Sequence, residues 1–93
     1  MIKTFKSKEA AKIYNEEYSR KLSKDIQRTA LRKLLMINNA VNLNDLKIPP
    51  ANRLEKLKKD KLGQYSIRIN RQWRICFIWE NGNAYDIEIV DYH

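Results

Sequence analysis

The C-terminal part of the chain alternates apolar and polar residues, and this pattern constrains the fold more than any other feature. One alternating run covers residues 65–69 and a second covers residues 73–79. A period of two predicts half-buried β-strands. Asn81-Gly82 is a strong signal for a type I′ hairpin turn. Residues 84–92 are therefore expected to return as a third strand of an antiparallel meander.

A turn through residues 70–72 predicts the register of the first hairpin. Ile67 then faces Ile75 on an apolar side of the sheet, and Arg68 faces Arg74 on the other side. Like charges directly opposite one another destabilise a sheet. A structural role does not explain this arginine pair, whereas an anion bound between the two guanidinium groups would.

The second hairpin can be aligned in the same way. A two-residue loop at Asn81-Gly82 pairs Trp79 with Ala84 and Arg74 with Ile89, which places Asp91 diagonal to Arg74 on the same face. Arg74 and Asp91 could then belong to a site, or form a surface ion pair that contributes little to stability. Both interpretations remain open at this point.

This ideal register conflicts with the apolar pattern at one place, because it puts Asp86 and Glu88 on the apolar face. A β-bulge near residues 85–88 would resolve the conflict. A short helical layer that leaves this edge of the sheet open would also resolve it. The position of Asp91 depends on which explanation is correct.

The N-terminal half predicts a short strand and two helices. Residues 2–5 can form the strand, and Ser7 can cap a helix whose apolar stripe continues through Tyr14 to Tyr18. Ser23 can cap a stronger helix with apolar residues at helical spacing, ending at Asn38-Asn39 because asparagine tolerates the left-handed conformation. The predicted fold is α+β, with two helices on one face of a small antiparallel-rich sheet.

Pro49-Pro50 interrupts regular structure and opens an irregular basic segment that runs to Gly63. The chain has 19 Lys and Arg against 11 Asp and Glu, a formal net charge of +8. Residues 53–74 contain only two acids, whereas residues 75–93 contain no Lys or Arg. The bases of the first segment are Arg53, Lys56, Lys58, Lys59, Lys61, Arg68, Arg71 and Arg74. Such segregation favours a polyanionic partner, with nucleic acid first.

Other classes of protein fit poorly. A single cysteine, Cys76, cannot form an internal disulfide and is expected to be a buried thiol. One histidine offers no zinc-ligand spacing, so we expect neither metal nor cofactor. The N-terminus lacks an apolar signal region and no apolar run reaches bilayer length. We therefore expect one cytoplasmic domain over residues 1–93, without a membrane partner.

Three stretches resemble one known family. They are NRLEKLK at residues 52–58, GQYSIRIN at 63–70 with QWRICF at 72–77, and the segment from Asp86 to the terminal Val90-Asp91-Tyr92-His93. Together with the start MIKTF, they resemble the HigB-type killer toxins of plasmid-maintenance systems, within the RelE/ParE superfamily. The resemblance covers nearly the whole chain.

The resemblance implies the RelE-like fold and a metal-independent endoribonuclease that cuts mRNA in the ribosomal A site. It also implies a HigA-type helix-turn-helix antitoxin as partner. That partner would neutralise the toxin and help to repress the operon, so operator DNA would be contacted only through the complex. No helix-turn-helix is evident in this chain, which would therefore be the toxin.

The implied reaction is attack of a ribose 2′-hydroxyl on the adjacent phosphate, which leaves a 2′,3′-cyclic phosphate. His93 suits proton transfer because the pKa of histidine lies near working pH, with Asp91 orienting it or sharing the proton. Arg74 would hold the scissile phosphate in a bidentate way, and Arg68 and Lys58 would add positive charge. Tyr92 would stack on a base or donate to the phosphate.

The remaining basic residues are expected to contact RNA backbone. These are Arg53, Lys56, Lys59, Lys61 and Arg71. Some members of the family have a second histidine about where Glu55 stands here, so Glu55 takes part of that acid–base role or is merely solvated.

Two other functions compete: a ParE-type toxin that poisons DNA gyrase without catalysis, and a basic ribosome- or RNA-binding module.

Overall fold

The computed structural model describes residues 1–57 and 63–92. The predicted site residues Lys58, Lys59, Lys61 and His93 lie outside the described residues. The helices are α1 (Lys8–Tyr14), α2 (Lys24–Asn39) and α3 (Asn44–Lys47), followed by a 3-10 turn at Pro50–Asn52. The strands are β1 (Glu55–Lys56), β2 (Gln64–Arg68), β3 (Trp73–Glu80) and β4 (Asn83–Asp91).

The four strands form one antiparallel sheet in the order β1-β2-β3-β4. The core lies between this sheet and the helices, where Leu34 and Ile37 of α2 are fully buried together with Ile67, Ile75 and Phe77 of the sheet. The predicted α+β architecture, with helices on one face of an antiparallel sheet, is confirmed. The helices leave the opposite face of the sheet uncovered.

Both predicted N-caps are confirmed. The Ser7 hydroxyl accepts a hydrogen bond from the Ala10 N–H, and the Ser23 hydroxyl accepts one from the Ile26 N–H. The prediction that the first helix reaches Tyr18 is wrong, because α1 ends at Tyr14 and Tyr18 is 66% exposed.

The second helix ends at Asn39 as predicted, but not for the predicted reason. Ala40 caps it with an extended backbone at φ −67°, so no left-handed asparagine is involved.

Two elements differ from the sequence-based expectation. The N-terminal strand is reduced to two isolated bridges, in which Ile2 and Phe5 lie parallel to β4. The basic segment after Pro49-Pro50 is not irregular throughout, because Glu55 and Lys56 pair with β2 as β1. A strand of two charged residues shows no alternation of apolar and polar side chains, so the sequence did not predict it. It forms because the edge of β2 is available for pairing.

The register of the first hairpin is confirmed, with Ile67 opposite Ile75 and Arg68 opposite Arg74. The tip of the second hairpin is also confirmed, because Trp79 pairs with Ala84. Asn81 and Gly82 have φ values of 51° and 77°, as a type I′ turn requires.

A β-bulge then shifts the second hairpin by one residue. Cys76 pairs with Glu88 and Ile78 pairs with Tyr85, so two residues of β4 lie opposite the single residue Phe77 of β3. Asp86 in this bulge has φ 52°. Of the two explanations considered for the acidic residues of β4, the bulge is therefore the correct one.

The bulge overturns the predicted position of Asp91. Arg74 pairs with Val90 and not with Ile89, while Asp91 pairs with Trp73. Paired residues share a face and successive residues alternate, so a shift of one residue reverses every side chain beyond it. Asp91 therefore lies on the face opposite Arg74. Tyr92 lies on the face of Arg74, where Asp91 had been predicted.

Candidate functional site

The face of the sheet that the helices leave uncovered carries a cluster of polar and charged residues. The cross-strand pairs Glu55 with Ser66 and Arg68 with Arg74 place these four side chains on one face. Strand alternation then adds Tyr92, two residues beyond the partner of Arg74. The site is thus assembled by β1, β2, β3 and the end of β4.

Arg74 is the central residue of this cluster and is only 7% exposed. Its Nε donates a hydrogen bond to the Ser66 hydroxyl at 2.9 Å. Its Nη2 donates to the backbone carbonyls of Arg53 at 2.6 Å and Ser66 at 3.2 Å. Guanidinium has five N–H donors, so these bonds leave the two on Nη1 for a ligand. The side chain is fixed in position before any ligand binds.

Arg53 contributes its backbone as well as its charge. It follows the 3-10 turn with φ 45° and ψ 56°, a left-handed conformation that is costly for a residue with a Cβ. This conformation accompanies the hydrogen bond from Arg74 to the Arg53 carbonyl. Backbone strain of this kind is found preferentially at functional sites.

Glu55 lies beside Arg74. One carboxylate oxygen is 3.7 Å from Arg74 Nη2, and the Glu55 side chain is 56% exposed. The carboxylate is therefore close to the arginine and still open to a ligand. This placement is compatible with a base beside a bound phosphate.

Tyr92 covers the guanidinium, whose carbon lies 5.8 Å from the centre of the tyrosine ring. Burial, Cys76 and Glu55 raise the pKa of Tyr92, while Arg74 opposes them by lowering it. The phenol therefore keeps its proton across the physiological range and can donate it in a hydrogen bond.

Three further arginines complete a cavity of about 410 Å³ around Arg74. Arg53, Arg68 and Arg71 line it with Glu55, Asn70, Arg74 and Tyr92. In residues 1–57 and 63–92, the side chains of these three arginines have neither a hydrogen bond nor an ion pair. The cavity therefore offers several cationic groups to an anionic ligand.

The structure brings together five of the predicted site residues: Arg53, Arg68, Arg71, Arg74 and Tyr92. Asp91 is outside this group, and its carboxylate accepts a hydrogen bond from the Gln72 side chain at 3.1 Å. Lys56 is exposed on β1 and pairs with Tyr65, so its side chain lies on the other side of the sheet from Glu55.

Sequence reasoning missed Ser66 and Lys33. Ser66 is fully buried and binds Arg74; its place in the register, two residues before Arg68, was the available signal. Lys33 is 4% exposed and donates to the Asn52 side chain at 2.6 Å. Helical spacing puts Lys33 on the buried stripe with Ala30 and Ile37, which could have identified it.

Among residues 1–57 and 63–92, no group of three His, Cys, Asp or Glu side chains could hold a metal ion. Cys76 is buried as expected. Within the same described residues, no helix has the length and apolar character needed to cross a membrane.

Two solved structures illustrate the same architecture. The YoeB dimer from Staphylococcus aureus matches with a TM-score of 0.60 and 23% identity, covering 99% of this chain and 94% of that chain. YafQ from E. coli strain BL21(DE3) matches with a TM-score of 0.59 and 15% identity, over 98% and 91% of the two chains. The chain therefore has the same fold as YoeB and YafQ.

The sequence comparisons define the family. The model of the HigB-like toxin, described as a RelE-like toxin of the type II toxin-antitoxin system HigB, matches residues 3–93. The chain therefore belongs to the HigB-like family of RelE-like toxins.

Two curated relatives support this assignment. Toxin HigB-1 of Vibrio cholerae is 36% identical over 85 residues, which are 90% of each chain. Endoribonuclease HigB of Proteus vulgaris is 33% identical over 94 residues, which cover 100% of each chain.

Proposed function

We propose that this toxin is an endoribonuclease that cleaves mRNA in the ribosomal A site without a metal ion. The observation that carries the proposal is Arg74, held by the protein in a cavity lined by three other arginines. A cavity of this kind suits a phosphodiester whose negative charge increases during the reaction. The relative from Proteus vulgaris, named Endoribonuclease HigB, supports the same activity.

In the proposed reaction the 2′-hydroxyl of a ribose attacks the adjacent phosphorus, and the bond to the 5′-oxygen of the next nucleotide breaks. A 2′,3′-cyclic phosphate remains. Nη1 of Arg74 donates one of its two remaining N–H groups to a non-bridging oxygen. The predicted bidentate grip is wrong, because Nε and Nη2 already donate to Ser66 and Arg53. Arg68, opposite Arg74 in the sheet, supplies further charge to the same phosphate. Lys58 is proposed to assist in the same way.

Proton transfer requires a base at the 2′-hydroxyl and an acid at the 5′-oxygen. Glu55, 3.7 Å from Arg74 and exposed, is proposed as a base. From the sequence, His93 is expected to transfer a proton as acid or base; with Glu55 as the base, we propose it as the acid. Tyr92 donates a hydrogen bond to the phosphate. Asp91 lies on the other face of the sheet, so we assign it no contact with the phosphate. Its role in orienting His93 stays a prediction.

The proposed partners are translating ribosomes with their mRNA and a HigA-type helix-turn-helix antitoxin. Operator DNA would be reached only through the toxin–antitoxin complex, and the protein would act in the cytoplasm. The structure of a YoeB-YefM toxin-antitoxin complex from Staphylococcus aureus, with a TM-score of 0.58 to this chain, supports an antitoxin partner for the fold.

The test is to incubate the purified toxin with translating ribosomes and to map the ends of the mRNA. We expect cuts within the A-site codon that leave a cyclic phosphate. Arg74→Ala should abolish them, and Glu55→Gln should lower the rate. The matched control is Arg28→Ala, because Arg28 lies on α2, is 79% exposed and pairs with Asp25. Intact mRNA together with gyrase-trapped DNA breaks would contradict the proposal and establish a ParE-type function.

A further inference from the structure

A second cavity adjoins the Arg74 cavity and extends toward α2. Its volume is about 470 Å³, and its described lining includes the cations Arg32, Lys33, Arg53 and Arg68 but no carboxylate. Arg53 and Arg68 also line the Arg74 cavity. The two cavities therefore form one cationic surface with these two arginines between them.

Lys33 is the unusual residue of this second cavity. It is 4% exposed, and its ammonium donates at 2.6 Å to the neutral side chain of Asn52. Asn52 is itself buried, and its amide donates to the Leu46 carbonyl at 3.1 Å. The buried charge is therefore bound by an amide, although a carboxylate would compensate it better.

The surroundings oppose the charge on Lys33. Burial lowers its pKa, and Arg32, Arg68 and Arg74 lower it further. Folding alone does not favour a buried ammonium next to guanidinium groups. An anion in the cavity would reverse this effect, because it would be attracted by all of these cations at once.

We propose that this second cavity is a phosphate subsite, which binds the backbone phosphate of the nucleotide next to the one cleaved at Arg74. Arg32 and Lys33 contact its non-bridging oxygens, and Arg53 and Arg68 lie between it and the scissile phosphate. The inference rests on the proposed function, which identifies the polymer as RNA. It adds that two successive phosphates are recognised and that α2 takes part in binding the substrate.

The test uses a 2′-O-methyl RNA trinucleotide, which lacks the attacking hydroxyl and has two phosphate linkages. Binding to the full chain is measured by fluorescence anisotropy at several salt concentrations. Either linkage is replaced in turn by an uncharged methylphosphonate. In the wild-type protein, each replacement should weaken binding about tenfold, as expected for the loss of a charged hydrogen-bonded contact.

Arg32→Gln is the decisive variant, because Arg32 is exposed and its replacement should not disturb the fold. It should weaken binding of the unmodified trinucleotide about tenfold. One of the two methylphosphonates should then cause no further loss, while the other keeps its full effect. The slope of log K against log salt should fall by about 0.7 for the lost phosphate contact. Lys33→Met should likewise weaken binding of the trinucleotide, abolish the effect of the same methylphosphonate and lower the salt slope.

Arg28→Gln, also on α2 but outside this cavity, should leave the affinities and the salt slope unchanged. If each methylphosphonate weakens binding to Arg32→Gln as much as it weakens binding to the wild type, the proposed subsite is wrong. Failure of the wild type to bind the trinucleotide even at low salt would also overturn it. Neither result depends on ribosomal cleavage, so failure of the subsite is distinguishable from failure of the proposed function.

Discussion

At the scale of single residues, the open face of the sheet is organised by hydrogen bonds that fix Arg74. Ser66 accepts from Arg74 twice, through its hydroxyl and its carbonyl, and the Arg53 carbonyl accepts a third bond. A guanidinium already held in place does not have to be reoriented when a phosphate binds. The electrostatic stabilisation of the transition state is therefore available without a reorganisation cost.

Ser66 should consequently act as a positioning residue. Ser66→Ala removes the acceptor of Arg74 Nε, and we expect the single-turnover cleavage rate to fall about tenfold, the effect of one charged hydrogen bond. Ribosome binding should be unchanged, because Ser66 is buried. Ser66→Thr, which keeps the hydroxyl, should recover part of the rate. Equal rates for Ser66→Ala and the wild type, measured on the same ribosomes, would refute this role.

At the scale of elements, the bulge in β4 decides which residue of the C-terminal segment lies beside Arg74. Without it, Asp91 would share the face of Arg74; with it, Tyr92 does. The bulge is held by Thr4, whose hydroxyl donates to the Asp86 carboxylate and accepts from the Asp86 N–H. The N-terminal segment therefore helps to set the geometry of the site at the far end of the chain.

The left-handed backbone of Asp86, at φ 52°, makes the bulge testable. Asp86→Val places a β-branched side chain in this conformation and should lower the free energy of unfolding by about 1–3 kcal/mol. Asp86→Gly relieves the backbone strain and loses one exposed hydrogen bond, from Thr4 to the Asp86 carboxylate, so its effect should be about 1 kcal/mol or less. Urea denaturation measures both. Equal stability of the two variants would contradict the observed backbone conformation.

The strands also show which parts of the fold the sequence could predict. Alternation and a turn through residues 70–72 predicted the Arg68–Arg74 pair, which needs only local pairing rules. The strand β1 was missed because Glu55 and Lys56 have no periodic signal, and their pairing depends on the edge of β2. The conflict at Asp86 indicated a bulge, but it could not establish one against the alternative of an open helical layer.

At the scale of the whole molecule, positive charge is densest in residues 53–74, which contain eight Lys and Arg against two acids. The arginines of this region line the two cavities. Lys56 is exposed on β1 and its side chain lies on the opposite side of the sheet from Glu55. The arrangement favours a division in which these arginines bind the substrate phosphates, whereas Lys56, Lys59 and Lys61 are predicted to contact the backbone of a larger RNA surface.

Neutralising the lysines should separate these two roles. Replacing Lys56, Lys59 and Lys61 by glutamine should weaken ribosome association and reduce its dependence on salt, because each lost phosphate contact lowers the slope. Cleavage at saturating toxin should be retained. The control replaces an equal number of exposed lysines on α1 and α2: Lys8, Lys12 and Lys24. A salt slope that is unchanged in the first variant would refute the division.

The sequence by itself determined the α+β architecture, the helix N-caps, both hairpin turns and the concentration of basic residues, because these follow from periodicity, local turn chemistry and charge. Only the tertiary structure decided which groups meet. It placed Tyr92 instead of Asp91 beside Arg74, put Ser66 and the Arg53 carbonyl on the guanidinium, and buried Lys33 against Asn52. These contacts depend on a one-residue bulge and on segments distant in the sequence, and neither leaves a periodic pattern.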